Sequence, residues 1–364
     1  MWLLISGCLC SAFVTSLVAT WLMRQIAPRL GLIDKPGARK VHLTPTPLGG
    51  GVGIWCGVVL PLAVAQGLVL LWHKSPPAWL PAEMAQHLNG VIYRSTELWG
   101  IIAAATVLAV TGLVDDFRPL SWKLRLLLQF GVSIAIVASG VRATVFLSNP
   151  WIGAVLSVIW FVVLVNSFNF LDNMDGLSGG IALIVSSIFA VMMLAKPSEP
   201  HWFVGGFFLI VAGSLLGFLV HNWSPAKIFM GDSGSYFLGF SIACMTILGT
   251  FYSSADANSH VALAPLCVMA VPLYDICSVI LIRLWEGRSP FQADKRHFSH
   301  RLVALGLTKV QAVLTVHLTT LTTGLLGLTL YAVSTWAAGL VILACVGCVL
   351  AIIAILEAAP RGEV

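Results

Sequence analysis

The stretch that decides the fold is LWGIIAAATVLAVTGLVDD, residues 98–116, in which a long apolar run ends in two adjacent aspartates. A transmembrane helix needs about 20 predominantly apolar residues, so this run is long enough to cross a bilayer. An ionised side chain costs about 2.5–3.5 kcal/mol at the centre of such a helix and less towards its ends. Acids in this position therefore suggest a membrane protein that binds or moves something charged.

The composition extends this interpretation to the whole chain. Of the 364 residues, 58% are hydrophobic and 10% are charged, whereas a soluble domain carries about 25% charged residues. Apolar runs recur from end to end, and the ten-residue alternating strands of a membrane barrel are absent. We expect an all-α, polytopic helical membrane protein that forms a single domain over residues 1–364. No run of basic residues indicates nucleic-acid binding.

Hydropathy predicts about eleven transmembrane helices. If they cross the membrane alternately, 16 of the 20 Lys and Arg residues fall on one side. The positive-inside rule makes that side the cytoplasm, with the N-terminus outside and the C-terminus cytoplasmic. The predicted helices lie near residues 2–23, 48–72, 98–114, 124–141, 151–168, 176–195, 202–220, 233–252, 261–282, 309–331 and 335–356.

Five acids share the predicted cytoplasmic face, which favours a single site there. They are Asp115, Asp116, Asp172, Asp175 and Asp232. The adjacent pair Asp115-Asp116 should repel unless a cation lies between the carboxylates, so a metal-associated or base pair is the functional interpretation. The alternative is a solvated end to the helix, for which a Lys or Arg would serve better.

The segment NSFNFLDNMDGLSGG, residues 166–180, is the richest in polar side chains. If the helix continues through it, Asn169 and Asp172 share one face and Asp175 follows. The alternative is an N-cap for the next helix, which Asp175 could supply. Four polar side chains exceed what capping requires.

The segment GDSGS, residues 231–235, opens another predicted helix. Free N–H groups at a helix N-terminus suit a phosphate, and Asp232 could hold a hard cation. An ordinary Asp or Ser N-cap is the alternative. Magnesium commonly takes one or two carboxylates together with substrate phosphates, so acids from separate loops fit a diphosphate substrate.

Cationic and imidazole groups accompany these acids. Lys123 and Arg125 suit either a phosphate or a lipid headgroup, and the loop RSPFQADKRHFSHR at 288–301 adds His297 and His300. Asp275 lies inside a predicted helix and requires a partner, for which Arg283 is a candidate. We expect a structural role for Asp275.

Taken in order, five motifs resemble those of the polyprenyl-phosphate N-acetylhexosamine-1-phosphate transferases, glycosyltransferase family 4. The matching stretches are KPGARKVHLTPTPLGGG (35–51), GLVDDFRPLSWKLRLLLQ (112–129), NFLDNMDGLSGG (169–180), IFMGDSGSYFLG (228–239) and GRSPFQADKRHFSHRL (287–302).

The resemblance implies transfer of an N-acetylhexosamine 1-phosphate from a UDP-sugar to undecaprenyl phosphate or another polyprenyl phosphate, with release of UMP. It implies Mg²⁺, with Mn²⁺ as a substitute, and an enzyme of the inner (plasma) membrane that starts a cell-envelope polysaccharide pathway. UDP-GlcNAc is the favoured donor, because the histidine run associated with the muramoyl-pentapeptide branch is absent. The partners are then a UDP-sugar, polyprenyl phosphate and the lipid bilayer, and a homodimer is compatible with the sequence.

The resemblance also implies roles for individual residues. Asp115 and Asp116 would be the catalytic acid pair, and Asp232 would coordinate magnesium with Asn169 nearby. The implied substrate contacts are Lys123, Asp172, Asp175, His297, His300, Arg301, Arg39 and His42. One position departs from the family pattern H-x-H-H, since Ser299 stands where a histidine is common.

Two other classes fit the sequence less well. An ion-coupled transporter should have acids at several depths, but apart from Asp275 they fall at one face, and no inverted repeat is evident. A CDP-alcohol phosphatidyltransferase would carry the signature D-G-x-x-A-R followed by G-x-x-x-D-x-x-x-D, which the chain lacks.

Overall fold

The structure, a computed structural model, describes residues 2–36, 44–143, 149–195, 200–249, 259–291, 294 and 296–358. Its helices are α1 (Trp2–Ile26), α2 (Gly50–Trp72), α3 (Ala82–Ala85), α4 (Leu88–Phe117), α5 (Trp122–Ala138), α6 (Pro150–Leu171), α7 (Leu177–Leu194), α8 (Trp202–Asn222), α9 (Gly231–Leu248), α10 (Ala264–Val268), α11 (Ala270–Trp285), α12 (Phe298–Ala304), α13 (Lys309–Thr329) and α14 (Trp336–Ala358). Two short strands, β1 (Ile33–Asp34) and β2 (Thr46–Pro47), pair antiparallel.

The prediction of an all-α, multi-pass membrane protein is confirmed. Within the described residues, eight helices are long and apolar enough to cross a membrane, and a bent pair, 259–268 with 270–285, makes a ninth. Each of the eleven predicted segments contains a helix. However, α5 has only 17 residues, and α9 begins with the polar sequence GDSGSY. The count of eleven spans and their orientation therefore stay predictions.

Proline determines two helix boundaries that matter for the site. Helix α4 continues through the acid pair to Phe117, and Arg118 is extended (φ −143°, ψ 109°) because the following Pro119 disfavours a helical residue before it. The predicted helix 261–282 is instead bent by 61° between α10 and α11. Pro272 has no N–H to bond the carbonyl four residues earlier, which accounts for a break at this point.

Glycines bring α1 and α8 into close contact, as is common for small residues four apart in membrane helices. A Cβ atom on Gly213 would lie 2.5 Å from the Leu9 carbonyl oxygen, and one on Gly217 would lie 2.4 Å from that of Phe13. This backbone-to-backbone approach explains why the two glycines recur at the helix interface.

Glycines also fix the first turn of α9 between α2 and α4. A Cβ on Gly112 would lie 2.4 Å from the Asp232 carbonyl carbon, and one on Gly51 would lie 2.2 Å from the Gly234 nitrogen. Contacts this short leave no room for a methyl group. The start of α9 is therefore held by backbone packing on two sides, and Asp232 is held with it.

Candidate active site

A cavity of about 780 Å³ lies where α4, α6 and α11 end and α9 and α13 begin. One part of its wall is acidic and includes Asp116, Asp172 and Asp232. Another part is apolar and includes side chains from α5, α6, α11 and α13. Those apolar residues are Leu126, Val162, Val163, Ile276, Ile280, Val310 and Val313. The site can therefore contact a charged group and a hydrocarbon group at once.

The N-terminus of α9 is bonded to carboxylates from two other elements. Asp116 accepts hydrogen bonds from the backbone N–H groups of Asp232 (2.9 Å) and Ser233 (3.3 Å). Asp172 accepts one from the N–H of Gly231 (3.1 Å). Protein carboxylates occupy these three N–H groups, so the expectation that they bind a substrate phosphate is wrong. The N-cap residue of the helix itself, Met230, makes no side-chain hydrogen bond. Negative charge at a helix N-terminus is stabilising, which explains the arrangement.

Asp232 is held by an amide and faces a guanidinium. The Asn169 Nδ2 donates to Asp232 Oδ1 at 2.7 Å and contacts Ser235 Oγ at 3.2 Å. Arg125 Nη1 lies 3.6 Å from Asp232 Oδ2. The structure thus brings together the two residues predicted to hold a metal, although they are 63 positions apart in the chain.

Asp115 and Asp116 point to different partners. Asp115 accepts hydrogen bonds from the Leu120 N–H and from Arg125 Nη1, the latter at 2.9 Å. Asp116 lines the cavity and anchors α9. Arg125 thus contacts two of these acids, whereas the sequence suggested a phosphate or a lipid headgroup as its partner.

The donor set fits a magnesium ion that a substrate helps to bind. Within the described residues, no three acidic, His or Cys side chains converge closely enough to form an all-protein cage. Mg²⁺ does not need one, since it is usually bound by one or two carboxylates together with waters and substrate phosphates. Asp232 and Asp116 line the cavity, and Asn169 adds an amide oxygen. Asp115 and Asp232 lie 2.9 and 3.6 Å from the same Arg125 Nη1 atom, and carboxylates held this close together are a natural place for a cation.

The segment after α6 differs from the prediction. The helix ends at Leu171, and Asp172 leaves the helical conformation (φ −80°, ψ 53°), so no common helical face continues to Asp175. Asp175 does not cap α7; it accepts a hydrogen bond from the N–H of Ala226 (3.0 Å) in the loop before α9. Burial, together with the nearby Asp116 carboxylate, raises the pKa of Asp172 to about 7. Both acids line the cavity.

Lys123 is exposed and lies outside the lining of the cavity. Its Nζ lies 5.7 Å from the centre of the Trp122 ring. Trp122 stacks on Phe291, with ring centres 4.0 Å apart and planes 5° apart, and both rings line the cavity. The structure therefore places Arg125, and not Lys123, at the acids.

The two histidines of the 288–301 loop line the cavity. His297 Nδ1 lies 2.9 Å from Asp275 Oδ2. The suggested partner of Asp275, Arg283, instead bonds Asp294 through Nε and Nη2, each at 3.1 Å. That suggestion is wrong, because Arg283 lies two turns along α11 and points to the loop that follows it.

Arg301 lies outside the cavity lining. Its Nη2 donates to Ser278 Oγ at 2.9 Å, and its Nε lies 3.0 Å from Glu357 Oε2. The last two predicted substrate contacts, Arg39 and His42, lie outside the described residues.

Sequence reasoning missed Arg283 and Asp294, which both line the cavity. Burial opposes ionisation of Asp294, but hydrogen bonds from Arg283 and from the N–H of Arg296 outweigh it and lower the pKa of Asp294. A charge inside an apolar run, at the end of α11, was the available signal. Ser299, where the family pattern has a histidine, donates to Asn173 Oδ1 at 2.6 Å and so ties α12 to the loop after α6.

Comparison with known proteins agrees with these motifs. Residues 98–250 match the family model described as Glycosyl transferase family 4. The chain is similar to the "Probable undecaprenyl-phosphate N-acetylglucosaminyl 1-phosphate transferase" of Bacillus subtilis (strain 168), with 35% identity over 84% of this chain and 79% of that protein.

Two further relatives have similar names. The "Decaprenyl-phosphate N-acetylglucosaminephosphotransferase" of Mycobacterium tuberculosis (strain ATCC 25618 / H37Rv) is 31% identical over 85% of this chain and 78% of its own. The "Undecaprenyl-phosphate alpha-N-acetylglucosaminyl 1-phosphate transferase" of Escherichia coli (strain K12) is 26% identical over 87% and 81%. Since the Bacillus subtilis relative exceeds 30% identity over most of both chains, this chain belongs to the polyprenyl-phosphate N-acetylhexosamine-1-phosphate transferases of glycosyl transferase family 4.

Proposed function

We propose that this protein transfers GlcNAc 1-phosphate from UDP-GlcNAc to undecaprenyl phosphate, releases UMP, and requires Mg²⁺. The observation that carries the proposal is the convergence of Asp116, Asn169 and Asp232 beside an apolar wall in one cavity. The named relatives act on undecaprenyl or decaprenyl phosphate. A first membrane step in a cell-envelope polysaccharide pathway follows from this chemistry.

The cavity suits two substrates of opposite character. A nucleotide sugar is water-soluble and carries a diphosphate, whereas the acceptor is a phosphate on a long hydrocarbon chain. The acidic wall would face the phosphates with magnesium between them, and the apolar wall from Leu126 to Val313 would contact the prenyl chain. The distribution of Lys and Arg supports a cytoplasmic location for this end of the bundle, in a plasma (inner) membrane.

Magnesium, when bound by Asp232 and Asn169, would neutralise the diphosphate of the donor and act as a Lewis acid. The protein itself mainly positions groups, because phosphoryl transfer needs little other chemistry from side chains. Arg125 holds Asp115 and faces Asp232, so it limits the negative charge of the acidic wall. His297 and His300 would contact the sugar-phosphate part of the donor.

The two acids Asp115 and Asp116 have different roles: Asp116 fixes the start of α9, and Asp115 pairs with Arg125. Asp116 accepts two backbone N–H groups of α9 and thereby sets the position of Asp232. A phosphate monoester has a second pKa of about 6, so the lipid phosphate is mostly dianionic at neutral pH. A strong general base is therefore unnecessary. We infer that the acids act chiefly by holding the metal and the start of α9, and less by removing a proton.

The decisive experiment incubates purified protein in detergent with Mg²⁺, UDP-GlcNAc and undecaprenyl phosphate, and measures UMP and the mass of the lipid product. We expect UMP release that needs all three components. Failure to produce UMP from any UDP-sugar would contradict the proposal.

A panel of UDP-sugars in the same assay decides the donor. UDP-MurNAc-pentapeptide is the main alternative, and its turnover in place of UDP-GlcNAc would reassign the donor while keeping the reaction class. An ion-coupled transporter is less well supported, because Asp275, an acid inside a predicted helix and away from the cluster, is bonded to His297 and to the backbone. Voltage- or pH-driven uptake into proteoliposomes without UMP release would favour it.

A further inference from the structure

Asp275 is the most deeply enclosed carboxylate near the cavity. Its exposed fraction is 0%, and it belongs to α11, which is part of a candidate membrane span. A buried carboxylate in such a place is costly unless hydrogen bonds satisfy it. The mechanism described above makes no use of this residue, so its contacts need a separate explanation.

Both oxygens of Asp275 bond to the start of α12. Oδ1 accepts the backbone N–H of Phe298, at 2.6 Å, and Oδ2 lies 2.9 Å from Nδ1 of His297. An ionised carboxylate only accepts hydrogen bonds, so the bond to His297 requires a proton on Nδ1. The other ring nitrogen, Nε2, is then available on the opposite side of the imidazole, and His297 lines the cavity.

The orientation of the imidazole is fixed from a second direction. The Phe170 ring meets His297 nearly edge-on, with ring centres 5.2 Å apart and an 83° angle between planes. The Arg283 guanidinium lies 5.2 Å from the centre of the Phe170 ring, and Arg283 also pairs with Asp294. His300 follows at 6.3 Å from His297. The ring of His297 therefore cannot rotate freely, and Arg283, which donates to Asp294, does not compete with His297 for the Asp275 carboxylate.

We propose that Asp275 is a positioning residue that keeps His297 protonated on Nδ1 and turned with Nε2 towards the cavity, where it meets the phosphate or sugar of the donor. A hydrogen-bonded carboxylate is the usual device for setting which nitrogen of a functional histidine is protonated. This inference rests on the proposed function for the identity of the donor. It assigns a role to a residue that the motif comparison leaves without one.

The first test is kinetic and uses Asp275→Asn. Asparagine keeps an acceptor for the Phe298 N–H, but its NH₂ group now faces Nδ1 and reverses the protonation of the ring. We expect UMP release to fall about 10- to 100-fold, the range found when an outer hydrogen-bond partner of a functional histidine is removed. In a His297→Ala background the same substitution should change the rate less than about twofold, because the pair acts as a unit.

Ser278→Ala is the matched control. Ser278 lies on α11 one turn from Asp275 and contacts α12 through Arg301, not through His297. Its effect should be about twofold or less and should persist in the His297→Ala background. If Asp275→Asn lowers the rate equally with and without His297, Asp275 has only a structural role and the proposal is overturned.

The second test needs no activity. Nitrogen-15 NMR of histidine-labelled protein in nanodiscs reports which ring nitrogens carry protons, and the His297→Ala variant identifies the signal. We expect a proton on Nδ1 in the wild type; an unprotonated Nδ1 overturns the proposal even if Asp275→Asn does not fold. A wild-type protein with the expected NMR signal but no UMP release would instead contradict the proposed function alone.

Discussion

Two groups of acids, each with at least one member that lines the cavity, differ in how their charge is compensated. The acidic end consists of Asp115, Asp116, Asp172 and Asp232, and in the described part of the chain Arg125 is the cation that forms ion pairs with it. The paired end consists of three acid–base pairs from α11, α12, α14 and the loop between the first two. Those pairs are Asp275–His297, Asp294–Arg283 and Glu357–Arg301.

The difference distinguishes acids that we expect to act in the reaction from acids that stabilise the fold. Like charges brought together with few counterions raise the free energy of the folded protein. A cluster of four acids with one cation therefore indicates a site at which a further cation binds. A buried acid with its own partner is already satisfied, and removing one member leaves an uncompensated charge. The acidic end should therefore tolerate Asp→Asn in stability but not in activity. The pairs Asp294–Arg283 and Glu357–Arg301 should show the reverse, whereas Asp275 should affect activity as well, through His297.

The largest effect is expected at Asp232. Asp232→Asn should reduce UMP release by roughly 1,000-fold, the scale seen when one electrostatic partner of a transition state is removed. In the absence of Mg²⁺ its melting temperature should equal or exceed that of the wild type, since the substitution relieves repulsion. Glu97→Gln, in the exposed pair with Arg94, is the control and should keep full activity. A large loss of stability in Asp232→Asn would contradict the comparison.

The same substitution at Asp294 should act on stability. Arg283 has an exposed fraction of only 2%, and Asp294→Asn removes the charge that compensates it. We expect a loss of about 3 kcal/mol in the free energy of unfolding, measured by thermal or denaturant unfolding in detergent. An unchanged melting temperature would show that the Asp294–Arg283 pair does not stabilise the fold. Glu97→Gln, outside both groups, gives the baseline.

Magnesium should distinguish the two ends directly. A ligand present at 100 times its Kd stabilises a folded protein by about 2.7 kcal/mol. We expect Mg²⁺ with UMP to raise the melting temperature of the wild type and of Asp294→Asn, and to leave Asp232→Asn unchanged. EDTA should reverse the shift. A full shift in the Asp232→Asn variant would place the metal elsewhere.

The smallest effect is expected at Glu357, near the end of α14. Its Oε2 accepts a hydrogen bond from Tyr274 at 2.7 Å and pairs with Arg301. Glu357→Gln keeps the hydrogen-bonding shape and loses only the charge, so we expect a loss of about 1 kcal/mol in unfolding free energy. Activity should stay within about threefold of the wild type. A loss comparable with that of Asp232→Asn would make this pair part of the catalytic machinery.

The sequence was sufficient to predict the class of fold and the convergence of the acids. Apolar runs indicate spans, and alternate crossing places the ends of α4 and α6 on the same side as the start of α9. Side-chain direction was harder to predict. Lys123 and Arg125 are two residues apart on α5 and so point to opposite sides of that helix, and only the position of α5 against α4 determines that Arg125 contacts the acids.

Pairing between distant elements could not be predicted from the sequence. Asp275 and His297 are 22 residues apart, and the bend at Pro272 and the loop before α12 determine their contact. The hydrogen-bond acceptors of the first N–H groups of α9 could not be predicted from the sequence either. A helix N-terminus after a glycine-rich turn suits a substrate phosphate or a protein carboxylate equally, and the choice depends on Asp116 from another helix.

The glycines around the first turn of α9 have a consequence for how such an enzyme can vary. Position 112 has no side chain, yet any side chain there would displace the backbone that carries Asp232. If the apolar wall contacts the prenyl chain as proposed, variation there can change which lipid is accepted without moving Asp232. The position of Asp232 therefore does not depend on the residues that select the substrate. Related enzymes can retain one reaction while their substrates diverge.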